Sequence, residues 1–439
     1  MFLSFGGLIL LGTILLTLPL TARSGRAGLI DALFTATSAV CVTGLTVLHP
    51  GTFFNGWGQT VILVLIQLGG FGILSFGTFI VFVLGGRASF RVRETMHETF
   101  PDLAGMSLRN MLVRAVYYIF VIEAAGAILL FISFRDRYPA QEKIWQSVFH
   151  AVSAFCNAGF SLNADNLIGF ADNTAVNLVI MALIILGGIG FIVILELEQV
   201  LRRRRQLKRI TLHSKMVLLT TTILILSGAI LILAIEWGHQ FSGIEFKGKL
   251  LRAFFQSITA RTCGFNTVDI GALSEVSLVV LAALMFIGAA PGSTGGGVKV
   301  TTAGVIMAVA ISLFRSERRP TIFGRSLTRQ SIDRALLLAI TSFLLINVIT
   351  MGLMISEGGL VSAQASPGIF VRLVFEATSA FGTVGLSTGV TPQLTGAGKL
   401  MITALMLIGR LGPLTMIYIL QGRGEKVSIE YPEENVMIG

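Results

Sequence analysis

Four glycines, each near the end of a similar twelve-residue stretch, are the residues in this sequence best suited to do chemistry. The first stretch, Phe34 to Leu45, reads Phe-Thr-Ala-Thr-Ser-Ala-Val-Cys-Val-Thr-Gly-Leu. Phe149 to Phe160 and Phe375 to Leu386 repeat it with the same separation of Phe from Gly. The third copy ends at Phe265; it keeps the spacing if counted from Phe254 and loses one residue if counted from Phe255. Glycine reaches positive φ without steric penalty, so Gly44, Gly159, Gly264 and Gly385 can each stop a short helix and turn the chain into an extended, carbonyl-lined exit. Four such exits around one axis would replace the hydration shell of a small cation, helped by the negative ends of four helix dipoles. Small residues at this spacing also serve plain helix packing in a membrane; recurrence at four matching positions favours coordination.

No catalytic constellation accompanies them. Gly292-Ser-Thr-Gly-Gly-Gly-Val-Lys299 looks like a phosphate-binding loop, but Val298 stands where the Lys belongs and Val300 where Ser or Thr would follow. His49, His97, His150, His213 and His239 form no His-Glu-x-x-His. Cys41, Cys156 and Cys263 have no zinc spacing and are odd in number, so they read as small packing residues inside the repeated loops.

The glycine run has a better use as a moving part. Irregular backbone at bilayer depth is tolerated only where it is buried or lines a water-filled cavity. Gly288, Gly292, Ser293, Thr294, Gly295, Gly296, Gly297 and Lys299 therefore read as a flexible polar loop on a conduction path, with a packing kink as the plainer alternative. Arg410, in Ile-Gly-Arg-Leu-Gly-Pro, falls mid-span, where a guanidinium must face the protein interior. It reads as an electrostatic barrier under a cation site, as a structural group bonding loop carbonyls near Gly292, or as both. Glu123, also within a span, reads as a buried hydrogen-bonding group. Arg261 and Glu376 would form a pair if the fold brought them together. Gly69-Gly70-x-Gly72 and Gly187-Gly188-x-Gly190 read as close-packing faces.

The elements that must position these residues are apolar. Of 439 residues, 54% are hydrophobic and 13% charged, with 49 glycines and a mean hydropathy of +0.82, which excludes an ordinary soluble domain. Runs of about 20 apolar residues, enough to cross a bilayer, recur throughout. Phe2 to Leu20 has neither a basic start nor an Ala-x-Ala site, and reads as a retained first span rather than a signal peptide. The spacing predicts an all-α polytopic membrane protein of four membrane-pore-membrane repeats in pseudo-fourfold arrangement, with eight transmembrane helices and four re-entrant loops. The repeats cover 1–85, 111–200, 216–314 and 333–421, followed by a tail at 422–439; the break at 288–299 interrupts the return leg of the third.

The net charge of +10 lies between spans rather than on a soluble face, so it does not indicate nucleic acid. Segments joining one repeat to the next, from Arg87 to Arg114, Arg202 to Lys215 and Arg315 to Arg334, carry 18 Lys and Arg, against 9 between first spans and short helices. The positive-inside rule places the former, and both termini, in the cytoplasm. The run Arg202 to Arg205 reads as a topology anchor at the lipid surface in preference to a docking site.

With its four glycine loops, the Thr-Ala-Arg-Thr-Cys-Gly-Phe-Asn stretch, the Gly-Ser-Thr-Gly-Gly-Gly-Val-Lys break and the Ile-Gly-Arg-Leu-Gly-Pro helix, the chain resembles the Trk/Ktr/HKT superfamily of cation transporters over nearly its whole length. The immediate start of the first repeat resembles the membrane subunits of bacterial Ktr systems. The resemblance implies a potassium filter at Val42, Thr43, Gly44, Asn157, Ala158, Gly159, Thr262, Cys263, Gly264, Thr383, Val384 and Gly385. It implies a gate at 288–299 with Arg410 as its partner, a homodimer in the bacterial plasma membrane, and a cytoplasmic ring of KtrA-type subunits binding ATP, ADP or NADH. The chain has no Gly-x-Gly-x-x-Gly nucleotide fold of its own. One glycine per repeat, where tetrameric potassium channels carry Thr-Val-Gly-Tyr-Gly, implies weaker discrimination and leaves sodium passage or coupling open. Plant relatives that prefer sodium carry Ser at the first filter position, so Gly44 points to potassium. A sodium transporter on the same scaffold and a non-transport structural subunit are the alternatives; an enzyme would need a converging nucleophile, metal cluster or acid pair.

Overall fold

The computed structural model describes residues 2–71, 108–134, 137–202, 210–316, 319–358 and 368–412. The first repeat contributes α1 (Phe2–Thr17), α2 (Leu29–Val40) and α3 (Gly56–Phe71). The second contributes α4 (Leu108–Ser133), α5 (Ala140–Phe155), α6 (Thr174–Gly188) and α7 (Phe191–Arg202). The third contributes α8 (Leu212–Glu236), α9 (Phe246–Thr259), α10 (Glu275–Phe286) and α11 (Val300–Phe314). The fourth contributes α12 (Arg329–Leu353), α13 (Ile369–Gly382) and α14 (Gly396–Leu411). Between α11 and α12, Thr321–Ile322 pairs antiparallel with Arg325–Ser326 across a turn in which Phe323 and Gly324 both take positive φ.

Among the described residues, Val113–Ser133, Leu212–Glu236 and Arg329–Glu357 are long and apolar enough to cross a membrane. The run from Thr174 to Val200 qualifies as one span only with a bend of 98°. The return leg of the second repeat, read from the sequence as part of 111–200, is therefore not one straight helix. Gly190, at φ +87°, breaks the helix, and Phe191 N then donates to Gly292 O at 3.2 Å. The bend thus receives the glycine loop of the third repeat. The end of the first repeat beyond Phe71, the arginines at 203–205, the last leg beyond Gly412 and the tail at 422–439 lie outside the described residues.

The return helices begin where the sequence offers a polar cap. Asn55 accepts from Trp57 N and Gly58 N, Asn173 from Ala175 N and Val176 N, Ser274 from Ser277 N, and Thr395 from Gly398 N; each satisfies amides that the first turn leaves free. The same caps tie each return helix to the end of its first span. Asn55 Nδ2 donates to Leu20 O, Asn173 Nδ2 to Ser133 O, Ser274 Oγ to Glu236 and Thr395 Oγ1 to Glu357.

Besides its own repeat, each short helix packs on the return helix of the repeat before it. α5 meets α3, α9 meets α6, α13 meets α10, and α2 meets α14, so the order closes on itself. Arg252–Asp172 at 2.9 Å links the third repeat to the second, and Lys399–Asp31 at 2.7 Å links the last to the first. Phe34, Phe149, Phe255 and Phe375 are each fully buried at the start of the repeated motif. Phe255 therefore sets the register of the third copy, which is one residue shorter than the others. The small residues along these helices permit close approach: a Cβ built on Gly69, Gly187 or Gly409 would lie 2.1, 1.9 or 1.9 Å from the carbonyl oxygen of Val40, Phe155 or Phe381. Gly69 and Gly187 are thus packing glycines, as the sequence suggests.

Candidate functional site

Each short helix ends one turn before its glycine. The backbone then runs through a residue at positive φ, one that is not, and a glycine at positive φ. The pairs are Val42 (56°) and Gly44 (92°), Asn157 (58°) and Gly159 (65°), Thr262 (78°) and Gly264 (91°), and Thr383 (49°) and Gly385 (94°). Non-glycine residues seldom adopt this conformation, so its appearance at four equivalent positions is a property of the repeat.

The glycines meet in a closed cycle. A Cβ on Gly44 would stand 2.3 Å from Ala158 O, on Gly159 2.1 Å from Cys263 O, on Gly264 2.2 Å from Val384 O, and on Gly385 2.2 Å from Thr43 O. Each glycine thus abuts the residue just before the glycine of the next repeat, and the fourth abuts the first. All twelve residues from 42–44, 157–159, 262–264 and 383–385 come together here, almost all of them fully buried.

Hydroxyls at the ends of the short helices hold these turns. Gly44 N donates to Ser38 Oγ at 3.0 Å and Gly385 N to Ser379 Oγ at 3.1 Å, whereas Ser153 Oγ donates to Phe160 O at 2.8 Å and Thr259 Oγ1 to Phe265 O at 2.7 Å. The C-terminal carbonyls of α2, α5, α9 and α13 face this cycle, each helix end carrying about half a negative charge. The three cysteines are free and buried, Cys263 within the cycle and Cys41 and Cys156 next to it in sequence.

On the side that follows the glycines lies an open basin of about 810 Å³, lined by Gly44, Gly159 and Gly385 together with Thr46, Ser161, Asn266 and Ser387. Its rim is fastened by Glu376 and by the residues at the same place in the second and third repeats. The Glu376 carboxyl group, fully buried, accepts from Ser387 Oγ (2.8 Å), Thr388 N (2.8 Å), Thr388 Oγ1 (3.1 Å) and Thr391 Oγ1 (2.5 Å). The equivalent residue of the second repeat, His150, bonds Ser161 Oγ at 3.0 Å, and Gln256 of the third donates to Thr267 Oγ1 at 3.4 Å. Glu376→Ala leaves four donors without their acceptor, and unpaired buried polar groups cost about 1–3 kcal/mol each. A drop in the melting temperature of the purified protein, largely recovered in Glu376→Gln, is the expected result.

His49 joins the loops of the first two repeats. Nε2 donates to Asn163 O at 2.9 Å while Nδ1 accepts from Gly51 N at 3.2 Å, an arrangement that requires the neutral ring. Burial lowers its pKa from 6.5, against the opposing pull of Asn163 O and Asp165. Below 6.5 the unfolded chain therefore binds more protons than the folded one, and the contribution of this contact falls as pH drops through the folded pKa. Acidification should lower the melting temperature in wild type, and His49→Asn should flatten that dependence.

On the other side of the cycle sits the glycine loop. Gly288 N donates to Val298 O at 2.8 Å, closing its neck. Gly296 N donates to Thr383 Oγ1 at 2.9 Å, Thr294 Oγ1 to Phe155 O and Gly187 O at 3.2 Å each, and Gly297 N to Gly409 O at 3.4 Å. A Cβ on Gly295 or Gly296 would lie 2.2 Å from Thr262 Oγ1 or 2.5 Å from Thr383 Oγ1, so the loop presses on the side chains of two positive-φ residues. Ser293 Oγ donates to Ala290 O at 2.6 Å, and Lys299 Nζ turns back to Gly295 O at 2.7 Å. Gly292, at φ +71°, sits where the bend of the second repeat docks. Arg410, 3% exposed, spans the assembly: Nη1 donates to Thr294 O and Nη2 to Gly69 O at 2.6 Å. It therefore ties the third-repeat loop to the return helices of the fourth and first repeats.

The imagined pairing of Arg261 with Glu376 does not form. Arg261 Nη2 donates to Thr221 Oγ1 at 3.3 Å, and Glu376 spends its oxygens on its own loop. Glu123 is buried, as read, and accepts from Gln67 Nε2 at 3.2 Å and Cys156 Sγ at 3.7 Å. Among the described residues no group of three His, Cys, Asp or Glu could hold a metal ion.

Comparison with known proteins agrees with this fold. The TrkH family model, described as cation transport protein, matches residues 9–422. The chain is 39% identical to the potassium/sodium uptake protein NtpJ of Enterococcus hirae, across 98% of this chain and 95% of that protein. It is 38% identical to the Ktr system potassium uptake protein B of Bacillus subtilis, across 98% and 94%. Its fold superposes on the crystal structure of the potassium transporter TrkH from Vibrio parahaemolyticus with a TM-score of 0.71 at 20% identity, covering 96% of this chain and 85% of that one. With matches of this extent, the chain belongs to the TrkH family of cation transport proteins, a family of transporters and not of enzymes.

Proposed function

We propose that the chain conducts potassium ions into the cell through the cycle of four glycines. The observation that carries this reading is the closure of that cycle, in which Gly44, Gly159, Gly264 and Gly385 each abut the next repeat. The backbone carbonyls of Val42, Thr43, Asn157, Ala158, Thr262, Cys263, Thr383 and Val384 replace the hydration shell, and four helix C-termini add negative potential. The excess of Lys and Arg between repeats orients the basin outward. An inside-negative voltage then contributes about 2.3 kcal/mol per charge per 100 mV. The repeats supply eight crossings and four re-entrant short helices, with both termini cytoplasmic in the bacterial plasma membrane.

The loop 288–299 acts as the gate on the inner side. It lies against Thr262 and Thr383 and is held by Arg410, whose fixed charge also opposes a cation leaving the filter. The chain works as a homodimer on a cytoplasmic ring of nucleotide-binding subunits, the arrangement its resemblance to Ktr systems implies. A sodium-conducting or sodium-coupled reading has one observation in its favour: a relative 39% identical is named a potassium/sodium uptake protein.

Uptake measured in cells lacking their own potassium systems, with and without a KtrA-type partner and over a range of external sodium, separates the two. Potassium uptake is expected, and Gly44→Ser should shift it toward sodium, because the new Cβ crowds Ala158 O in the first quarter of the ring. Sodium uptake without potassium flux in either background would replace this reading with the sodium one.

A further inference from the structure

We infer that the groove between α8 and α11 is a binding site for an anionic phospholipid, one acyl chain lying along the helices and the phosphate on Arg315. The groove has a cavity volume of about 350 Å³ and is open to its surroundings along one side. Its walls include Leu219 and Ile223 of α8 and Met307 and Ile311 of α11, with Phe323 of the small hairpin at one end. All five are about half exposed, so this apolar surface lacks a protein partner among the described residues.

α8 and α11 touch each other directly, and the apolar furrow they leave between them suits a polymethylene chain. Charge selects the headgroup. Arg315, exposed at the hairpin end, lines the groove, and among the described residues no carboxylate does. An arginine at the end of an apolar furrow meets a phosphodiester with two parallel donors. Arg315 also belongs to a basic inter-repeat segment, which on the charge distribution faces the leaflet where anionic headgroups attract Lys and Arg.

The groove also reaches Ile287, whose backbone bridges Val298 at the neck of the loop 288–299. A chain seated there packs against the base of that loop and supports the helix that follows it. The effect on flux rests on the reading of the loop as a gate; the binding does not.

The test separates the two. Wild type, Arg315→Gln and Ala303→Phe, the last projecting a ring into the groove, are purified in mild detergent. Each is offered phosphatidylglycerol or phosphatidylcholine, and bound lipid is counted by native mass spectrometry. Retention of phosphatidylglycerol over phosphatidylcholine by wild type is expected, about fivefold weaker in Arg315→Gln, as loss of one basic contact to an anionic headgroup implies. Ala303→Phe should lose both lipids. Equal retention by wild type and Arg315→Gln, or no preference for the anionic lipid, overturns the site. Potassium flux in liposomes with and without phosphatidylglycerol is the second arm. Selective binding with unchanged flux would keep the lipid site and remove its link to the gate. Absence of flux in every liposome would strike at the transport reading and leave the binding result standing.

Discussion

Gly264→Val is expected to abolish ion uptake while leaving the protein in the membrane at wild-type abundance. Two effects combine at this position. A β-branched residue at φ +91° is a steric outlier, and the new Cβ would lie 2.2 Å from Val384 O and 3.0 Å or less from the Gly385 backbone. Backbone cannot yield as the tip of a flexible side chain can, so the third quarter of the ring must spread and its carbonyls leave the positions at which the proposed function has them replace water. The rest of the third repeat is held elsewhere, by Glu236 on the cap of α10 and by the packing of α9 on α6. Gly6→Ala provides the control, because a Cβ there meets nothing within 4 Å. Uptake by cells expressing each variant, normalised to membrane abundance, decides the matter. Wild-type uptake by Gly264→Val would remove the ring from the conduction path.

Arg410→Ala carries the second large effect, in the opposite direction. Its guanidinium holds Thr294 O in the loop and Gly69 O in the first repeat, and a charged hydrogen bond contributes about 1.5–3 kcal/mol. Losing even one of these in the closed arrangement releases the loop by about tenfold or more. On the proposed path, removing the positive charge also lowers the barrier to a cation below the four glycines. Basal potassium uptake without the cytoplasmic partner should therefore rise at least about tenfold. Arg410→Lys separates the two causes, because it keeps the charge and loses the fork that reaches two carbonyls at once. A rise in Arg410→Lys assigns the effect to the latch; a rise confined to Arg410→Ala assigns it to the charge. Unchanged or lower uptake in Arg410→Ala at equal abundance would show that the loop does not close the path.

Much of this was legible because repetition in the sequence becomes symmetry in space. A motif of Phe, a hydroxyl and Gly at offsets that vary by one residue in a single copy needs a recurring environment, and Phe34, Phe149, Phe255 and Phe375 occupy equivalent buried positions. The ambiguity at Phe254 and Phe255 could not be resolved along the chain, since both are aromatic and adjacent; only burial tells them apart. The mid-span arginine and the glycine run could be matched because a charge and a broken helix at bilayer depth each demand polar company. What escaped notice depends on partners far away in sequence. The bend at Gly190 looks like another packing glycine until Pro291 and Gly292 are seen to fill the gap. Glu376 invited a pairing with Arg261 because opposite charges are conspicuous, while the hydroxyls and the amide that hold it are ordinary loop residues. His49 gave no signal, its partners being backbone groups of another repeat and of its own loop.

The seam between the last repeat and the first has a consequence for biosynthesis. Asp31 and Lys399, joined at 2.7 Å, are 368 residues apart, and the contact of Gly385 with Thr43 O spans a similar distance along the chain. At about 5–20 residues per second a ribosome needs about 20–70 s to travel that far. For that interval the first quarter of the ring waits in the nascent chain with one flank uncovered, and its turned-out carbonyls cannot be left facing lipid. Water, the insertion machinery or neighbouring helices must hold it until the fourth quarter arrives. A ribosome that stalls within the final repeat would leave a membrane-inserted product with an open polar seam, a natural target for quality control.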